Sequence, residues 1–193
     1  MNVQKALVSA MAALSTLAVV ARPHTASAAK LADVTFDDAL DMDGRKFVLN
    51  GLGLRKFAIF KVYVGALYLE KKAQSADEIL AASQSHKLLK LRFLRDVGAK
   101  DMRKAWSEGF EKNCSGIACQ SMKADVDTLN AAMEDCKEGQ TLQFQLTPEA
   151  VVVWHEGVRK VEVKKAGFSD QVLAIFIGKN PPNEALRDGL LGK

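Results

Sequence analysis

Histidine is scarce in this chain: three residues in 193, and only His86 and His155 lie beyond the first thirty positions. They show no ligand spacing, so a histidine-based metal centre is excluded and no metal is expected. Catalytic signatures are missing too. There is no Gly-x-Ser-x-Gly elbow and no phosphate-binding loop, and Gly51-x-Gly53 lacks the third glycine of a dinucleotide fingerprint and runs into a strand pattern, not a helix. No cofactor is expected. Charge of one sign is also lacking. Without Lys5 and Arg22 the net charge of +4 falls to +2, the lysines are scattered, and no aromatic-basic interleaving occurs. Nucleic acid is therefore excluded as a partner.

Long apolar runs are confined to the beginning. Met1 to about Ala28 reads as a secretory signal peptide. Lys5 supplies the positive end, Ala6–Ala21 the apolar stretch and Ala26-Ser27-Ala28 the small-residue cleavage site. The apolar stretch is short for a membrane helix and is followed by Arg22-Pro23; an uncleaved anchor is the competing reading. No later run could span a bilayer as a helix. Residues 30–193 are thus expected to form a single exported domain, periplasmic or secreted, acting as a monomer. About 165 residues are enough to bury a substantial core.

Three cysteines lie in the exported part, where disulfides are favoured. Cys114 and Cys119 bracket a glycine-containing loop that a local bridge would close, with pairing to Cys136 as the rival; the odd thiol is expected to be buried.

Periodicity gives the order of elements. Val34–Leu40, Lys46–Asn50, Leu54–Phe60, Val62–Leu69, His86–Asp96, Thr141–Leu146, Val151–Glu156 and Lys160–Lys164 read as strands. Ala76–Ser83, Lys100–Lys112, Met122–Lys137, Phe168–Ile177 and Asn183–Leu191 read as helices, the first capped by Ser75. Strands joined by short turns and helices arriving in blocks imply an α+β fold, an antiparallel sheet with helices on one face. His155, in Trp-His-Glu, is expected as a lone surface imidazole.

The stretch Gly51–Glu70 is the centre of the pattern. Tyr63, Gly65, Leu67 and Leu69 alternate with Val62, Val64, Ala66 and Tyr68. Both sets are mostly apolar, so this strand is expected to be covered on both faces. One guanidinium, Arg55, and one phenol, Tyr63, enter that apolar setting, and a buried charge needs a partner. The partner is either a protein carboxylate, with Asp38 or Glu70 as candidates, or an anionic ligand.

A Gly51-x-Gly53-x-Arg55 turn, a lysine-led strand closing on Leu67-Tyr68-Leu69-Glu70, and Ile175-Phe-Ile-Gly-Lys-Asn-Pro181 before a helix ending Gly189-Leu-Leu-Gly192 together resemble the chalcone isomerase-like family. The resemblance covers roughly Val34 to Gly192. It implies an open-faced β-sandwich, a curved antiparallel sheet covered by helices, with a ligand cleft between the layers. It also implies that Arg55 grips an oxyanion, as in the plant isomerases, or a ligand carboxylate, as in fatty-acid-binding relatives. The isomerase pattern is incomplete here. Tyr63 stands where those enzymes place a threonine. Their tyrosine and asparagine, seven residues apart, are replaced by Asp101 with Glu108 or Met102 with Gly109, and no tyrosine follows Tyr68.

The leading expectation is a non-catalytic binder of a small amphipathic carboxylate such as a fatty acid. Arg55 would hold the head, Tyr63 would be a second donor, and Met102 and Trp106 would line the helix wall. Ordinary core is the alternative for that helical stripe. The alternative functions are an isomerase or intramolecular lyase acting on another enolisable substrate, and an envelope interaction protein without a ligand.

Overall fold

In a computed structural model, residues 27–80 and 86–193 are described. Most of the leader, and the end of the helix expected over Ala76–Ser83, lie outside the described residues.

Seven strands form one antiparallel meander in chain order: β3 (Ala39–Met42), β4 (Arg45–Phe57), β5 (Phe60–Leu69), β6 (Lys87–Phe93), β7 (Thr141–Leu146), β8 (Ala150–His155) and β9 (Val158–Lys164). A separate hairpin, β1 (Ala28–Leu31) with β2 (Val34–Asp37), precedes them. The helices are α1 (Ala76–Leu80), α2 (Ala99–Asn113), α3 (Gly116–Gln120), α4 (Lys123–Ala131), α5 (Phe168–Ile177) and α6 (Glu184–Leu190). The class is α+β with an antiparallel sheet, as the pattern of elements predicts, and the sheet is curved, as the family resemblance implies.

The alternation along β5 decides which residues go where. Leu67 and Leu69 join Leu89, Leu91, Phe144, Val151 and Val153 in the main core, against Met102, Trp106 and Phe110 of α2 and the apolar α5 and α6. Val64, Ala66 and Tyr68 point the other way, into a smaller core with Phe36, Phe47, Leu49 and Leu88 under the β1–β2 hairpin. The strand is covered on both faces, which accounts for its unbroken apolar character. Lys87 is buried at the strand's end because its ammonium meets Asp170 Oδ1 of α5 at 3.0 Å.

Several boundaries differ from expectation. The stretch through Gly51 and Gly53 is not a turn but the middle of β4, so Lys46–Asn50 and Leu54–Phe57 are one strand; the reversal comes at Ala58-Ile59. Methyl groups at Gly51 and Gly53 would collide with the carbonyls of Gly189 and Leu186, so these glycines form a notch that seats α6 directly on the sheet. Asn50 lies at an irregularity in the β4–β5 register, buried, donating to the Leu190 carbonyl at 2.8 Å and accepting from the Ala73 amide at 2.8 Å. The Val34–Leu40 strand divides into β2 and β3, and the loop between Cys114 and Cys119 carries the short α3.

The helix expected over Met122–Lys137 ends at Ala131. Tertiary hydrogen bonds hold the next residues extended: Val97 and Cys136 exchange backbone bonds of 2.8 and 2.9 Å, and Asp135 Oδ1 accepts the Ala99 amide at 2.8 Å. Cys114 and Cys119 form a disulfide, and the third cysteine, Cys136, is a buried free thiol.

Candidate functional site

Arg55 and Tyr63 are paired across β4 and β5. Cross-strand partners share a face, and here it is the face that carries the helices. Both side chains are half-buried. Tyr63 packs edge-on against Phe93, ring centroids 5.7 Å apart, and Phe93 belongs to the same core as Met102 and Trp106.

The partners of Arg55 are neutral. Its Nη1 donates to the Pro182 carbonyl at 3.1 Å, to Asn183 Oδ1 at 3.4 Å and to the carbonyl of Lys56. The guanidinium also lies 5.9 Å from the centre of the Phe57 ring. Among the described residues no carboxylate is within ion-pair distance of it. Glu70, one of the two candidates, pairs with Arg45 at 3.0 Å. Asn183 stands just before α6 and fixes the strand on either side of Arg55: its Nδ2 donates to the Leu54 carbonyl at 3.1 Å, and its Oδ1 accepts the Lys56 amide at 3.2 Å. Sequence reasoning did not find Asn183. The only local signal is an asparagine after Pro181-Pro182, at the start of the helix expected over Asn183–Leu191.

Burial raises the Tyr63 phenol well above its ordinary value, and the Arg55 charge draws it partly back. At neutral pH the phenol keeps its proton. It can therefore donate a hydrogen bond to an anion but is a poor base.

Met102 and Trp106 lie deeper. Both are buried, and Trp106 packs against Phe144 and Phe176 with centroid distances of 4.8 and 5.4 Å. The structure thus brings Arg55, Tyr63 and Asn183 together on the helix-covered face, and places Met102 and Trp106 in the buried core of which Phe93 is also part.

A groove of about 540 Å³ opens on the opposite face, between the β1–β2 hairpin and β5–β7. Tyr68, Lys90, Arg92 and Thr141 line it together with Asp33, Asp37 and Glu138. Tyr68 donates to the Asp37 carbonyl at 2.9 Å, and Arg92 donates to Thr141 Oγ1 at 3.0 Å. Desolvation pulls the Lys90 ammonium below its usual range, against the attraction of Asp37. Acids and bases are mixed around this groove, so it selects no one sign of charge.

His155 is not the surface imidazole expected. It is buried, with Nδ1 3.2 Å from Glu134 Oε2 and Nε2 3.2 Å from Gln140 Oε1 and 3.7 Å from Cys136 Sγ. The order Cys–His–Glu resembles a nucleophile with its base, but the thiol is the wrong kind. Burial, then the charges of Glu134, Asp135 and Glu156, push Cys136 up to about 11, the opposite of an activated thiolate. The cluster ties the segment after α4 to β8. Among the described residues no group of histidine, cysteine and carboxylate side chains is placed to hold a metal.

A family model described as chalcone isomerase-like matches residues 28–192. Among proteins with curated descriptions, none matches the sequence significantly. Among solved structures, a fatty-acid binding protein of Arabidopsis thaliana shares the fold. Its TM-score is 0.66 and its identity 16%, over 86% of this chain and 96% of that one.

Proposed function

Since the chain belongs to the chalcone isomerase-like family, we propose that it is a non-catalytic binder of a small amphipathic carboxylate of the fatty-acid class, with Arg55 holding the head group. One observation carries the reading: a half-buried guanidinium on the helix-covered face, bonded to neutral oxygens and left without a carboxylate among the described residues. Such a cation retains its full attraction for an anion, and a planar guanidinium can offer a carboxylate two parallel hydrogen bonds. Tyr63, opposite in register and protonated at neutral pH, is the second donor. In this reading the tail enters the core that Phe93, Met102 and Trp106 share, and these buried side chains must move to admit it. Burial there at ~25 cal/mol per Å² supplies most of the affinity. The fatty-acid binding protein that shares the fold supports a small-ligand role. The protein works after export, consistent with its disulfide; no helix among the described residues is long and apolar enough to cross a membrane.

The test is titration of a fluorescent long-chain carboxylate into wild type and Arg55→Ala. The variant binds more weakly by roughly 1.5–3 kcal/mol, the scale for hydrogen bonds to a charged group. Equal affinities would remove Arg55 from the binding account.

A further inference from the structure

The turn between β4 and β5 presents an unusual surface. Phe57, Ile59 and Phe60 are 67, 87 and 51% exposed. Scattered single apolar side chains on a surface need no explanation, but three within four residues at a protruding tip do. Ala58, between them, adopts the left-handed conformation (φ +50°) that makes the reversal tight.

The charged residues of the two strands beside the tip, Arg55, Lys56 and Lys61, are of one sign. Lys56 and Lys61 are cross-strand partners, as are Phe57 and Phe60. Residues one apart on a strand point to opposite faces, so a lysine pair backs a phenylalanine pair. Each phenylalanine also lies near a guanidinium: Arg55 is 5.9 Å from the Phe57 ring centre and Arg95 is 4.6 Å from that of Phe60. Among the described residues Lys56, Lys61 and Arg95 are in no salt bridge. Asp33, which feels the charge of Lys61, is already paired with Lys30 at 3.0 Å, and Asp96, next to Arg95, is paired with Lys137 at 3.0 Å.

We propose that this hairpin tip is a docking point for a lipid bilayer bearing anionic head groups. Phe57, Ile59 and Phe60 enter the interface, and Lys56, Lys61 and Arg95 meet the phosphates. Charge complementarity favours an anionic partner. Shape favours a fluid one, because a convex turn with three apolar side chains cannot supply the roughly 800 Å² per side of a stable protein interface, whereas an interfacial anchor needs only a small apolar insertion reinforced by basic residues. The inference does not depend on the carboxylate reading, because Ile59 and Phe60 are not part of the Arg55 site; Phe57, whose ring lies 5.9 Å from that guanidinium, is left unchanged in the test.

The experiment is co-sedimentation of the full chain with phosphatidylcholine vesicles, with or without phosphatidylglycerol. Wild type is expected to sediment with the anionic vesicles and to be released by salt. Ile59→Ser and Phe60→Ser combined should lower the partition coefficient about tenfold. Lys56→Gln and Lys61→Gln should each lower it about fivefold, on anionic vesicles only. The double serine variant changes exposed side chains away from Arg55, so an unaltered melting transition and unaltered binding of the fluorescent carboxylate verify its fold and separate this test from that of Arg55. Wild type that stays in solution, or a double serine variant that sediments equally well, overturns the proposal. So does a wild-type dimer that the double serine variant converts to monomer while vesicles go unbound, since the tip would then be covered by a second copy.

Discussion

Asn183 holds the main chain on both sides of Arg55, donating to the Leu54 carbonyl and accepting the Lys56 amide. It also accepts from the guanidinium itself. A single neutral side chain thus fixes the strand and orients its cation without cancelling the charge. An aspartate in its place would still accept from the Lys56 amide and the guanidinium, but it would lose the bond donated to the Leu54 carbonyl and add a carboxylate beside Arg55.

Asn183→Asp should therefore cost about 1 kcal/mol of stability for the bond lost to Leu54 and abolish most of the carboxylate binding, by neutralising the cation internally. Asn183→Ala loses both backbone bonds and costs about 1 kcal/mol of stability, but leaves Arg55 uncompensated. Melting curves alongside titration of the fluorescent carboxylate check the pair. If the aspartate variant binds as well as wild type, Arg55 does not receive the head group.

Gly53→Ala should destabilise the protein by about 1–3 kcal/mol or more, because the added methyl meets the backbone of Leu186, which cannot rotate away as a side chain could. Gly44→Ala is the comparison. That residue has φ +72° with nothing near, so its cost is backbone strain alone, about 1 kcal/mol. Urea unfolding measures both, and equal losses would show that α6 is not seated as tightly as the notch implies.

Much of this was legible in the sequence. The alternation along β5, the strands Thr141–Leu146 and Val151–Glu156 and the helical stripe of Met102 and Trp106 follow from periods of 2 and 3.6, which are local properties. What was not legible depends on residues far apart in the chain. Gly51 and Gly53 read as a turn because the helix that fills their notch begins only at Glu184. The helix pattern through Cys136 is genuine amphipathicity, overruled by bonds from Asp135 and Cys136 to the start of α2. Arg55 was legible as a cation in apolar company, but its partners Pro182 and Asn183 were not.

The Cys114–Cys119 bridge closes a short loop, and its loss should cost about 2 kcal/mol on the chain-entropy account. Thiol counting with a neutral maleimide near pH 8 should find no reactive cysteine in the native oxidised protein, since Cys136 is buried and pushed up to about 11. One should appear on denaturation, and all three cysteines on denaturation with reductant. Rapid native labelling would mean that the segment after α4 opens readily.

The chain has only two tyrosines, Tyr63 and Tyr68, and both phenols are raised. Burial dominates in each case; Asp37 and Asp38 add to it at Tyr68, while Arg55 opposes it at Tyr63. A raised phenol favours the folded state below its unfolded value of about 10, and that contribution is lost as pH climbs above it. An alkaline titration of wild type should therefore show no phenolate absorbance through the ordinary tyrosine range, then a late rise coincident with loss of the folded circular-dichroism signal. Tyr63→Phe and Tyr68→Phe should each soften the loss of stability above pH ~10, because the phenol that favours unfolding by ionising is gone. A phenolate signal that grows smoothly near pH 10 with the fold intact would show that at least one of these hydroxyls is freely solvated. If Tyr63→Phe abolishes that signal, Tyr63 would no longer be a desolvated donor beside Arg55.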